Sequence, residues 1–335
     1  MNAIRNQSAA SVGSPAHQTG RVRVALIVNP VASSISGRSR VRIQRALSDA
    51  HDLVVRETSR RGHATRLAHR ASKDGCEVVI TLGGDGTVNE AANGLLGSDT
   101  ALVPLPGGST NVFARAIGYP NDAVAATRVL LDALDAGSIR RASLGSANGR
   151  AFVFHAGVGF DAEVVTRVEE RGSLKRYGGH PWFIYNAVKT WASTGRRNLT
   201  FDVVTDDGRS VQAARMAVAM NVNPYTYLGN RPLDLAPEVG LGTPLSLVTT
   251  TSLALPRLMP IVGIALGRRR GGLPDDGAFH HWADVRGVTI QAPRPFPFQL
   301  DGEPQAAVCE LRLLHLPDAI RVVVPVAPAE EVEKP

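Results

Sequence analysis

Residues 78–96 read VVITLGGDGTVNEAANGLL: an apolar strand, a glycine-rich turn and the start of a helix. That order gathers free backbone N–H groups at a helix N-terminus, an arrangement that holds a polyphosphate. Gly83, Gly84 and Gly86 let the chain turn sharply and pass close to a ligand without Cβ clashes. Thr87 offers a hydroxyl, and Asn89 and Glu90 add polar groups in the first helical turn. Asp85 repels phosphate unless a cation lies between them, so Mg²⁺ is implied. The plan recurs in LPGGSTNVFA at 105–114, where Gly107, Gly108, Ser109, Thr110 and Asn111 follow another strand. Asn29-Pro30 closes an earlier strand ahead of the Ser/Gly-rich stretch 33–37. Loops at the C-terminal ends of adjacent parallel strands form the crevice where open α/β sheets bind ligands. The predicted chemistry is phosphoryl transfer. Much later, Asp301-Gly302-Glu303 reads, taken alone, as a surface β-turn.

The elements that must position these groups follow from periodicity. Strands are predicted at 22–28, 53–58, 78–82 and 101–106, alternating with helices at 38–50, 62–72, 88–96, 110–117 and 122–136. Asn121 is the expected cap of the last helix. This βαβ series predicts a Rossmann-like, doubly wound parallel sheet over residues 21–138. Beyond it the pattern turns β-rich. Asn148-Gly149 and Asp207-Gly208 mark hairpins. Further strands are expected at 199–205, 211–219, 245–251, 287–291, 298–300, 309–314 and 320–324, with one helix at 182–193. Residues 139–326 are thus expected to form an antiparallel β-sandwich domain. Residues 1–20 and 327–335 read as tails.

Composition narrows the class. The 335 residues carry a net charge of +7, and with lysine at only four positions nearly all the positive charge is arginine. That balance favours anionic partners. Nucleotides and an anionic membrane surface are expected, nucleic acid is not, and a homodimer is left open. The two cysteines, Cys76 and Cys309, rule out a disulfide framework and a Cys-rich zinc site. No stretch is long and apolar enough to span a bilayer, and residues 1–20 lack the apolar core of a secretion signal. A cytoplasmic protein, resting peripherally on the inner membrane face, is expected.

Several pieces resemble the diacylglycerol kinase catalytic-domain family, which includes bacterial lipid kinases and sphingosine kinases. They are Asn29-Pro30, Thr58 with Gly62-His63-Ala64, GGDGTVNE at 83–90, PGGSTN at 106–111, GVGFDAEV at 157–164 and DGE at 301–303, in family order. The resemblance implies an ATP- and Mg²⁺-dependent lipid kinase that phosphorylates a lipid hydroxyl, most simply that of diacylglycerol. It implies ATP contacts at Asn29, Thr58, Gly84, Asp85, Gly86, Thr87, Asn89, Glu90, Gly108 and Ser109. It makes Glu303 the general base, with Asp301 beside it and Asp85 in the catalytic set. Two departures stand out. Asn111 is followed by Val112 where the family often has Asp, and PEVGLGTPL at 237–245 lacks the aspartates that hold a structural Mg²⁺ in many bacterial members. No protein metal site is assigned.

Rival readings stay in view. NAD kinases share the GGDGT loop, although the NE after it and the late DGE favour a lipid acceptor. GVGFDA at 157–162 fits a dinucleotide fingerprint but lies in the β-rich half, without a following βαβ unit. A non-catalytic nucleotide-binding or membrane-docking protein is a third reading. On the acceptor side, residues 253–266 with Arg268, Arg269 and Arg270 read as a membrane-facing segment or as core plus a solvated loop. The aromatics Trp182, Phe183, Tyr185 and Trp191 read as acyl-chain contacts or as core.

Overall fold

The structure is a computed structural model that describes residues 20–32, 34–170, 199–254, 256–257, 263 and 277–326. Its first half contains β1 (Arg23–Val28), α1 (Gly37–Ala50), β2 (Asp52–Glu57), α2 (His63–Lys73), β3 (Val78–Gly83), α3 (Asp85–Leu95), β4 (Ala101–Pro106), α4 (Val112–Ala116) and α5 (Ala123–Asp135). The strands pair in parallel in the order β2-β1-β3-β4. Unbroken apolar runs in β1, β3 and β4 bury both faces, as a sheet covered on two sides requires. Ala25 and Ile27 pack with the small face of α2 (Ala64, Ala68, Ala71) and with α3. Val24, Leu26 and Val28 pack on the other side with Ile43 and Leu47 of α1 and with Ala126, Leu130 and Ala133 of α5.

Three boundaries differ from the sequence reading, each for a capping reason. α3 starts at Asp85 rather than 88, because Gly84 is its cap and the Gly84 carbonyl accepts the Thr87 N–H at 2.9 Å. The glycine-rich motif is therefore itself the first helical turn. α4 shortens because Asn111, at φ 51°, lies in the left-handed region just before it. Asp122, not Asn121, caps α5 and accepts the Ala125 N–H at 2.7 Å.

The second half adds β5 (Ile139–Ala147), β6 (Arg150–Phe152), β7 (His155–Gly159), α6 (Phe160–Glu170), β8 (Phe201–Thr205), β9 (Ser210–Ala214), β10 (Met216–Met220), β11 (Thr226–Leu228), β12 (Arg231–Leu233), β13 (Leu245–Thr250), β14 (Phe279–Val285), β15 (Gly287–Phe296), β16 (Phe298–Leu300), β17 (Glu303–Pro304) and β18 (Val308–Val323). Both predicted hairpins form: β5 pairs with β6 and β8 with β9. The run expected as one strand at 211–219 is split at Arg215. β9 stays in the first sheet, whereas β10 crosses to a second, antiparallel sheet ordered β14-β13-β10-β7-β16-β17. The inner faces of the two sheets bury Phe152, Val158, Phe201, Leu247, Ile290 and Leu311 together, the core of a sandwich. The expected α/β half with a β-sandwich half is the observed fold.

Two of the predicted strands, 309–314 and 320–324, are one 16-residue strand, β18, whose register shifts between Leu316 and Ile320. Its first part pairs antiparallel with β15, and its last part runs parallel to β4 through Arg321 and Val322. A single ten-stranded sheet therefore runs from one half into the other. α6 went unread in the sequence, although acidic Asp161 and Glu163 in its first turn favour a helix start. The expected helix at 182–193 with its aromatics, the arginines 268–270, most of 253–266, residues 1–19 and the tail 327–335 lie outside the described residues. No helix among the described residues is long and apolar enough to cross a membrane.

Candidate active site

The two halves meet at a cleft of about 420 Å³ lined by Asn29, Thr58, Arg61, Gly84, Gly86, Thr87, Glu90 and Glu303, among others. Its floor is the start of α3. The motif glycines there are not in the left-handed region; Gly86 and Gly108 are instead crowded by their neighbours. A Cβ on Gly86 would lie 2.5 Å from the Glu303 carboxylate, and one on Gly108 would lie 2.7 Å from the Gly84 Cα. The second glycine loop is thus packed onto the first, and the Gly107 N–H donates to the Gly83 carbonyl at 2.8 Å.

The polar groups of this floor are mostly committed to backbone. Asp85 accepts the Val112 and Phe113 N–H groups at 3.1 and 3.2 Å, which caps α4 and ties the two loops together. Burial raises its pKa, and those N–H groups pull it back. Glu90 accepts the Gly62 and Ala64 N–H groups at 2.7 and 2.9 Å, capping α2, whose own cap residue has no side chain to do so. Asn111 accepts the Gly107 and Gly108 N–H groups at 3.2 and 2.8 Å. The Asn29 amide reaches the Thr87 hydroxyl at 3.4 Å. Ser109 is exposed at the tip of the second loop. What faces the cleft is therefore backbone N–H, the Thr87 hydroxyl and the arginines.

The opposite wall is the turn between β16 and β17. Glu303 alone of its acidic pair lines the cleft, between Arg61 at 3.6 Å and Arg150 at 3.5 Å. Asp301 points inward. It is 4% exposed, sits at φ 50° and accepts N–H bonds from Asn89, Val153, Phe154 and His155 at 2.7–3.1 Å. Burial pushes its carboxyl up to about 7 against the pull of those donors. Asn89, expected among the ligand contacts, is likewise buried and spends its amide on Asp301 and the Ala151 carbonyl. The same turn is braced from behind. Gln299 accepts the Gly302 N–H and donates to Asp161, each at 2.8 Å, and Asp161 accepts the Tyr225 hydroxyl at 2.5 Å. Burial raises the Asp161 pKa and drives that of Tyr225 well above the usual phenol. His155 packs on Tyr225 with ring centroids 4.6 Å apart and, among the described residues, no partner for either ring nitrogen, and burial holds its pKa down at about 3.

The structure thus gathers Asn29, Thr58, Gly84, Gly86, Thr87, Glu90 and Glu303 in one cleft and leaves Asn89 and Asp301 in the interior. Sequence reasoning missed Arg61, Arg150, Gln299 and Tyr225. Arg61 stood in plain sight between Thr58 and Gly62, whereas the others carry no local signal. It also found no role for Asp161.

Comparison with known proteins agrees with the geometry. Residues 23–164 match the family model described as diacylglycerol kinase catalytic domain. A Chromohalobacter salexigens protein described as "Probable lipid kinase YegS-like" is 31% identical over 268 residues, 78% of this chain and 81% of that protein. The Bacillus subtilis protein named diacylglycerol kinase is 34% identical over 119 residues, 35% of this chain and 38% of its own. The fold matches a solved diacylglycerol kinase from Bacillus anthracis with a TM-score of 0.67 at 20% identity, covering 93% of this chain and 99% of that one. The chain belongs to the lipid and diacylglycerol kinase family defined by this catalytic domain.

Proposed function

We propose that the protein transfers the γ-phosphoryl group of ATP to the hydroxyl of a membrane lipid, diacylglycerol, to give phosphatidic acid. The observation that carries this reading is Glu303, a carboxylate from the β-rich half held against Gly86 at the start of α3. A phosphate-binding floor and a proton acceptor thereby share one cleft. Glu303 takes the proton of the acceptor hydroxyl as its oxygen attacks the γ-phosphorus, the bond from that phosphorus to the bridging oxygen breaks, and ADP leaves. Backbone N–H groups at the start of α3 and the Thr87 hydroxyl stabilise the charge on the phosphates. Asn29, Thr58 and the Gly84 and Gly108 backbone hold the nucleotide, with Ser109 at the rim. Asp301 acts from inside, as a positioning group for the turn that carries Glu303.

The donors present suit a Mg²⁺ ion shared with the nucleotide rather than caged by the protein. Among the described residues no three His, Cys, Asp or Glu side chains converge on one point. The oxygen donors that line the cleft beside the glycine turn are Thr87 and Glu303, and an ion held there with the phosphates would neutralise their charge. Net charge +7 supports work at an anionic bilayer face.

The test is transfer of label from γ-labelled ATP, with Mg²⁺, to mixed vesicles carrying diacylglycerol, ceramide or a sphingoid base, with NAD as a separate acceptor. Label in phosphatidic acid is the expected result. Label in NAD and in no lipid overturns the reading, and label in another lipid replaces the acceptor.

A further inference from the structure

The two arginines beside Glu303 are not equivalent. Arg150 is fastened in place: besides Glu303 it donates to Gln305 of the β-rich wall at 3.0 Å and reaches Asn89 of α3 at 3.5 Å. Arg61 projects from the turn before α2 with its side chain 67% exposed, and among the described residues its one polar partner is Glu303 at 3.6 Å. That separation exceeds hydrogen-bond length, so the pair is weak and exchangeable. Arg61 also shares the cleft wall with Gly84, Gly86 and Thr87, where phosphates would lie. No lysine is among the described lining residues. A helix N-terminus supplies about half a unit of positive charge, well short of a triphosphate's need. A planar guanidinium in this place suits phosphate oxygens.

The geometry points to Arg61 as the residue that distinguishes a triphosphate from a diphosphate donor and couples that distinction to the base. In the free protein Arg61 rests on Glu303. When a nucleoside triphosphate fills the cleft, Arg61 moves to the γ-phosphoryl oxygens. Glu303 is then held by Arg150 alone and is free to engage the acceptor hydroxyl. A diphosphate lacks the γ-group and leaves the resting pair in place. The exchange swaps one ion pair for another and makes or breaks no covalent bond. It rests on the kinase reading with ATP as donor.

The test is calorimetric binding of the non-hydrolysable triphosphate AMP-PNP and of ADP to the full chain with Mg²⁺, without lipid. Wild type is expected to prefer AMP-PNP. Arg61→Ala should lower that preference about tenfold or more, the effect of losing a hydrogen bond to a charged group. Arg61→Lys should restore part of it. Arg45→Ala, which alters an exposed arginine of α1 outside the cleft lining, should leave the ratio unchanged. An Arg61→Ala protein with the wild-type ratio, or one weakened equally for both nucleotides, overturns the inference, as does a wild type with no preference. A wild type that prefers AMP-PNP yet phosphorylates no lipid overturns the lipid-kinase reading and leaves the role of Arg61 standing.

Discussion

The two walls of the cleft hold their carboxylates by opposite means. On the nucleotide side, Asp85 and Glu90 cap neighbouring helices, and each bond spans fewer than thirty residues along the chain. On the β-rich side, Asp301 and Asp161 are buried among partners 64–212 residues away. The first wall is a set of local caps that present backbone to a ligand. The second is an interior polar network that presents one side chain, Glu303. A wall that binds phosphate needs many weak donors and tolerates loose edges. A wall that presents one side chain needs a single rotamer, and the turn behind it is braced by the hydrogen bonds of Asp301, Gln299 and Asp161.

The largest test of this contrast is Glu303→Gln. It should lower turnover by about 10²-fold or more, as loss of a general base does, with AMP-PNP binding preserved. A parallel loss of nucleotide affinity would mean that the walls do not divide the work. Acid probes the buried wall next. His155 is neutral in the fold with its pKa down at about 3, whereas the unfolded chain takes a proton near 6.5. The fold's advantage from this group is therefore complete above pH 6.5 and is lost as pH falls toward 3. Between pH 7 and pH 4 wild type should lose about 3 kcal/mol more stability than His155→Phe in denaturant titrations. Equal losses would remove His155 from the acid response. The smallest effect separates the two crowded glycines. Gly108→Ala meets the Gly84 backbone, which cannot yield, and should cost about 1–3 kcal/mol. Gly86→Ala meets only the flexible end of Glu303 and should keep its stability while slowing turnover. The reverse pattern would place the rigid contact on the wrong wall.

The same contrast decides what could be read in the sequence. The parallel half was legible because its strands are unbroken apolar runs and its helices repeat at 3.6 residues. The cleft residues Asn29, Thr58, Gly84 and Thr87 follow strand ends, so their place came with the topology. Reading α3 from Val88 placed the motif in a loop, because glycines and Asp85 look like turn residues until Gly84 is seen as a cap. On the other wall, nothing local marks Asp301 as buried and Glu303 as facing the cleft in the same three-residue motif. Only the N–H groups of Val153, Phe154 and His155, brought from another strand, sort them. The irregularity that joins two predicted strands into β18 was equally hidden, since it sits at Asp318, at φ 49°, between them.

A ribosome delivers β18 last. Until Arg321 and Val322 emerge, the buried strand β4 presents an open edge to the cell. The parallel sheet of the first half, whose four strands are all made by residue 106, gains its last neighbour only when β18 docks beside β4. The sheet behind the cleft floor is therefore completed only after the turn that carries Glu303 has been made.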